Sequence, residues 1–176
     1  MSRKYKFYNP DGVYFVSFAV QGWVDIFTRN SYKNILVENL QYCHDNKGLE
    51  IFAWCIMTNH VHMVIRAKED FNLPDILPDY KKFTSKTIIK AITENIQESR
   101  KDWLLEQFKT SEGFRFWRAD NKPIELWSNG VINQKIDYIH QNPVEEGLNF
   151  FVAQKGTDCK SAPVREWYFS NAKQIA

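Results

Sequence analysis

Two β-rich runs stand three residues apart in this chain: 50–57 (EIFAWCIM) and 61–66 (VHMVIR), joined by Thr58-Asn59-His60. Strands so closely joined can pair only with each other, as an antiparallel hairpin turning near Thr58-Asn59. The rest of the chain is read around that hairpin. A further β-rich run, VYFVSFAVQ at 13–21, precedes it. Between them, 31–46 has helical spacing at Ile35, Leu36, Leu40 and Tyr42–Cys43, with Ser31 as N-cap and Gly48 as a stop. A second helix is predicted over 79–97, with Phe83, Thr87, Ile88, Ala91, Ile92 and Ile96 near one side. Residues 99–113 are charged and ambiguous, and 114–118 and 124–127 supply one more strand. Ser128 or Asn129 caps a third helix that runs to Asn142, where Pro143 stops it.

The order is β-α-β-β-α-β-α. It predicts an α+β fold of the ferredoxin-like, split βαβ kind: an antiparallel sheet with two helices on one face. The last helix has the other face, or an edge, to lie against. The domain is expected over 1–152, followed by a weakly patterned C-terminal tail at 153–176.

Composition narrows the setting. With 44% apolar and 15% aromatic residues, 176 residues suffice for one domain with a real core. No apolar run approaches a membrane span, and the first residues do not read as a signal peptide. Cys43, Cys55 and Cys159 lack CxxC spacing and are odd in number, which points to a reducing cytoplasm and not to a disulfide or zinc framework. A net charge of +2 permits a nucleic-acid partner without announcing one.

Chemistry is concentrated in two places. His60 and His62 flank Val61 at the start of the second hairpin strand, so both imidazoles project from one sheet face while Val61, Met63 and Ile65 fill the other. Two neutral imidazoles at that spacing can share a metal ion. On spacing alone, two strand histidines satisfied by hydrogen bonds are the plainer reading. A zinc site would need further ligands, and His44, His140 and the cysteines show no supporting pattern. In the last helix (VINQKIDYIHQN), Ile132, Ile136 and Ile139 form the apolar stripe. Tyr138 and Asn142 lie four apart on one face, about a quarter turn away, with Lys135 beside them. A boundary tyrosine wetted by solvent fits this pattern. So does a phenol nucleophile, which would need a metal or cation beside it to favour the phenolate.

The segment Ile56-Met57-Thr58-Asn59-His60-Val61-His62-Met63-Val64-Ile65 resembles the His-hydrophobic-His signature of single-tyrosine HUH transposases. Asp137-Tyr138-Ile139-His140-Gln141-Asn142-Pro143-Val144 resembles their tyrosine segment. Phe116-Trp117 and Pro123-Ile124-Glu125-Leu126 between them, and Tyr80 to Lys86 earlier, are also similar. Within that family the chain looks most like the REP-associated tyrosine transposases.

The resemblance implies a catalytic site of Tyr138, His60 and His62, with Mg²⁺ or Mn²⁺ bound by His60, His62 and Asn142. It implies cleavage and strand transfer of single-stranded or hairpin DNA through a 5′-phosphotyrosine, by a cytoplasmic monomer or homodimer without membrane contact. Gln141 is the weaker ligand candidate. Lys81, Lys82, Lys86, Lys90, Arg115, Arg118 and Lys135 become candidate DNA contacts, with Lys122 a further one. For the lysines of the second helix, the resemblance favours phosphate contacts over an ordinary solvated face. Trp117 or Trp127 would either stack on unpaired bases or pack in the core. Two alternatives stay open: a replication or conjugation nickase of the HUH type, and a hairpin-binding protein whose catalysis has lapsed.

Overall fold

The computed structural model describes residues 7–119 and 123–145, the last four as backbone only. Strands β1 (Tyr14–Ala19), β2 (Leu49–Ile56), β3 (His60–Ala67) and the short β6 (Ile124–Glu125) form one sheet in the order β2-β3-β1-β6. All its pairings are antiparallel, the arrangement of a split βαβ fold. The β2–β3 turn is tight: the Met57 N–H donates to the His60 carbonyl at 2.8 Å across Thr58-Asn59.

The sheet separates two cores. Helices α1 (Asn30–Asn46) and α2 (Leu73–Glu94) cover one face, where Val61, Met63 and Ile65 are fully buried with Leu36, Leu40, Tyr80 and Ile88. Helix α4 (Asn129–Glu145) takes the other, closing Ile132, Ile136 and Ile139 over Phe15, Cys55 and Val64. Burying each such side chain is worth roughly 1.5–3 kcal/mol. A one-residue slip of β3 would exchange the two faces, so the register of the histidines is strongly specified. In β2 the pairing shifts between Ile51 and Ala53. Phe52 and Ala53 therefore both face the α4 side, between Ile51 and Trp54 on the other.

Several expected boundaries change. Arg29, not Ser31, is the N-cap of α1; its carbonyl accepts from Tyr32 and Lys33, and no side chain caps the turn. Instead the Arg29 guanidinium pairs with Glu98 at 2.5 and 3.1 Å, so a tertiary ion pair holds this helix end. At the other end Gly48 stops the helix as expected, with φ +65°.

Helix α2 begins at Leu73, well before the expected 79, and ends at Glu94. Asn72 caps it by accepting from the Asp75 N–H, and Pro74 fits the first turn. Pro78 removes one hydrogen bond near that start without ending the helix. The buried stripe of α2 is Leu73, Ile76, Leu77, Tyr80, Thr84, Ile88 and Ile92. Phe83 and Ile96, expected near the apolar side, are exposed.

The ambiguous stretch holds α3 (Lys101–Phe108), anchored by Leu104 and Phe108, and the two-residue strands β4 (Lys109–Thr110) and β5 (Gly113–Phe114) of a separate hairpin. Residues 114–118 are not a strand of the main sheet. They touch it through one bridge, Val20 to Trp117, flanked by Gln21 N–H to Phe116 and Arg118 N–H to Ala19. Ser128 caps α4 by accepting from the Val131 N–H at 3.3 Å. The helix passes Pro143, expected as its stop, and is described as far as Glu145. Among the described residues no helix is long and apolar enough to cross a membrane.

Candidate active site

β3 alternation brings His60 and His62 to the α4 face, and their Nε2 atoms meet at 3.0 Å. His62 is 7% exposed, pressed against the Phe15 ring at 5.3 Å, and Cys55 is its partner across the β2 pairing. Burial, with smaller contributions from His60 and Lys135, pushes its pKa down to about 3. The ring is therefore neutral at ordinary pH, the form that ligates a metal.

His60 is half-buried and oriented from the turn. The Asn59 amide nitrogen donates to Asp25 Oδ1 at 3.0 Å and to the Trp23 carbonyl at 3.3 Å, which leaves Asn59 Oδ1 to meet His60 Nδ1 at 2.8 Å. That carbonyl oxygen only accepts, so His60 carries its proton on Nδ1 and presents an Nε2 lone pair. The same loop grips the turn backbone: Val20 N–H donates to Asn59 and Phe27 N–H to Thr58, both at 2.8 Å.

Across this pair lies Tyr138, 43% exposed. Its ring sits edge-on to His62 at 5.6 Å and to Phe15 at 6.1 Å. The Lys135 ammonium lies 5.2 Å from the Tyr138 ring centre and 4.9 Å from that of Phe15. The isoleucine stripe fixes this geometry, because burying Ile136 and Ile139, two residues before and one after, leaves Tyr138 at the boundary, over His62.

Two observations bear on a metal here. Ligands about 2.1 Å from one ion at right angles are about 3.0 Å apart, which matches the Nε2 separation. With His60 presenting a lone pair, the 3.0 Å contact makes His62 Nε2 its donor; an ion shared by the two rings would displace that proton to His62 Nδ1, which is buried without a hydrogen-bond partner. The imidazole pair therefore fits a shared divalent ion. No cluster of three His, Cys, Asp or Glu side chains exists among the described residues, so within them any further ligand is of another type. The side chain of Asn142 lies outside the described residues, as do Lys122 and Cys159.

The candidate DNA contacts are divided. Lys135 adjoins the site, and the Arg118 guanidinium lies 5.1 Å over the Trp23 ring, itself 6.0 Å from His60. Lys81 turns inward: its ammonium donates to the Arg118 carbonyl at 2.9 Å and lies over Phe18 at 5.1 Å. Lys82, Lys86 and Lys90 are exposed on α2, across the sheet from the histidines, with Lys90 3.8 Å from Glu94. Arg115 is exposed beside the β4–β5 hairpin. Trp117 is core: it is buried, and its Nε1–H donates to Thr84 at 3.0 Å. Trp127 stays 80% exposed. Sequence reading assigned no role to Asn59 or Trp23. Both depend on the loop after β1 folding back onto the turn, and Gly-Trp in Gln21-Gly22-Trp23 was the one local hint of an unusual backbone.

Residues 16–134 match the family described as IS200-like transposases. The chain belongs to that family. The match takes in the hairpin and both histidines and ends before Tyr138. Membership makes the chain a DNA-processing transposase. Among solved structures, a REP-associated tyrosine transposase bound to a REP hairpin shares the fold at TM-score 0.59 and 16% identity, over 85% of this chain and 76% of that one. A Deinococcus radiodurans R1 protein assigned as a transposase, solved at 1.90 Å, aligns at TM-score 0.48 and 18% identity, over 80% of this chain and 97% of its own. No curated protein matches the chain.

Proposed function

We propose that this transposase cleaves and rejoins single-stranded DNA with Tyr138 as the nucleophile. The observation that carries the reading is the Tyr138 ring lying 5.6 Å from His62, beside the meeting point of the two Nε2 atoms. In the reaction Tyr138 Oη forms a bond to phosphorus as the bond to the 3′-oxygen breaks. The phenolic proton is lost to solvent and the departing 3′-oxygen takes one up. The products are a 5′-phosphotyrosine and a 3′-hydroxyl. Attack by a second 3′-hydroxyl reverses the step and joins the strands without ATP, because the ester conserves the bond energy.

His60 and His62 would hold Mg²⁺ or Mn²⁺ through Nε2, with the Asn142 amide oxygen as the proposed further ligand. When bound, such an ion supplies Lewis-acid stabilisation of charge on the phosphate. The chain's own groups do the rest. Asn59 holds His60 in the ligating tautomer, burial keeps His62 neutral, and Lys135 sets a positive charge beside the phenol. Hairpin-bearing DNA is the substrate we favour, by analogy with the fold-related transposase bound to a REP hairpin.

The test is a covalent adduct. End-labelled hairpin DNA with a single-stranded flank, incubated with the protein and Mn²⁺, should yield a protein–DNA band that survives SDS. Tyr138→Phe removes only the hydroxyl and should abolish the band while leaving DNA binding intact. EDTA should abolish it in the wild type. A full adduct from Tyr138→Phe would refute the nucleophile, and full activity in EDTA would refute the metal.

A further inference from the structure

The loop after β1 carries an unusual backbone. Gly22 and Trp23 both have positive φ, +66° and +56°. Glycine adopts that region freely, but a bulky residue there is an outlier. Such strain persists only where surrounding contacts hold it, and it clusters at working sites. Here the holding contacts are visible: the Trp23 N–H donates to the Val20 carbonyl at 3.1 Å, and the Trp23 carbonyl accepts from Asn59, the residue that orients His60.

The strained turn brings an indole beside the catalytic face and leaves it in solvent. Trp23 is 53% exposed, and its ring meets that of His60 at 6.0 Å and 77°. The Arg118 guanidinium lies 5.1 Å over the indole. The Arg118 backbone is fixed, its N–H donating to Ala19 at 2.9 Å and its carbonyl accepting from Lys81 at 2.9 Å. A packed core would have buried this ring. Instead the fold accepts strain to keep an aromatic face wet, cation-backed and next to a histidine of the site.

We propose that Trp23, backed by Arg118, is a stacking shelf for an unpaired base of the strand whose phosphate lies at His60 and His62. Aromatic stacking is the sequence-tolerant way in which proteins hold single strands, since every base has a π-face. At this position the shelf holds the nucleotide next to the scissile bond and so sets where the phosphate lies relative to Tyr138. The inference rests on the single-strand reading above, but its test does not need cleavage.

The experiment compares fluorescein-labelled dT12 with an abasic strand of equal length and charge, by anisotropy in EDTA. Wild type should bind dT12 more tightly than the abasic strand. Trp23→Leu, which stays apolar but has no aromatic face, should shrink that preference about tenfold, the scale of one base–aromatic stack. Its affinity for the abasic strand should be unchanged. Trp23→Phe should retain most of the preference, and thermal melts should show both variants folded. An unchanged preference in Trp23→Leu overturns the shelf, as does equal wild-type binding to both strands. The adduct assay on Tyr138 reports separately on the cleavage reading, so an active nuclease with no base preference at Trp23 would sink this inference alone.

Discussion

Because the Asn59 amide nitrogen is committed to Asp25 and to the Trp23 carbonyl, its oxygen is left for His60, and the imidazole must carry its proton at Nδ1. An outer contact of this kind fixes ring orientation and basicity in a metal ligand, and removing it typically costs 10–100-fold in metal affinity. Asn59→Ala should therefore raise the Mn²⁺ concentration for half-maximal adduct formation by about 10–100-fold, with the fold intact. Asn59→Asp restores an acceptor but sets a carboxylate against Asp25, so it should fall between Ala and wild type. Cleavage followed across a Mn²⁺ titration decides this, and an unshifted curve for Asn59→Ala would leave Asn59 a turn residue only. The residue scale also shows what a sequence can carry. His60 and His62 were legible as a same-face pair because strand alternation is local. The Asn59 bond and the Trp23 backbone were not, because both need the loop after β1 to fold back onto a turn far along the chain.

At the scale of elements, the hairpin and an antiparallel sheet could be read from period and spacing, but the last strand, α2 and α3 were harder. The second helix was expected from 79, whereas Asn72 and Pro74 start it at Leu73 and Pro78 lies inside it. Helix α3 buries only Leu104 and Phe108, too little to imprint a period on a charged segment. The tyrosine helix was plain, since Ile132, Ile136 and Ile139 repeat every three to four residues and all become buried. That stripe is also how Tyr138, the proposed nucleophile, is held. α4 packs on β2 and β3 through a core separate from the one beneath α1 and α2. Ile136→Ala should cost about 2–5 kcal/mol, the range for deleting a buried isoleucine side chain. The loss should fall first on α4 docking. Adduct formation should drop, and α4 amides should exchange faster while those of β1 and β3 keep their protection. Equal loss of protection in α4 and β3 would mean that the two cores open as one unit.

The whole molecule is a sheet with different work on its two faces. His60, His62, Tyr138 and Lys135 gather on the α4 side, while Lys82 and Lys86 are exposed on α2, beyond the opposite face. They line a groove between α1 and α2 with Tyr42 and Phe83, both more than half exposed. A helix with its side chains is about 10–12 Å across. The lysines are thus separated from the site by the sheet and by most of a helix, and a few nucleotides held at the histidines cannot reach them. If these lysines bind phosphates, they serve a longer ligand that passes around the edge of the molecule, such as the stem of a hairpin. Lys82→Ala combined with Lys86→Ala should then leave the affinity for a short single strand unchanged and weaken binding of a hairpin-bearing strand. The log–log salt dependence for the hairpin should fall by about 0.9 for each duplex phosphate that the two lysines neutralise. Both quantities come from binding titrations at several salt concentrations. An unchanged hairpin slope would return these lysines to a solvated helix face. Equal weakening of the short strand would mean that the single-stranded path itself crosses α2, which the separation of the two faces forbids for a strand seated at His60 and His62.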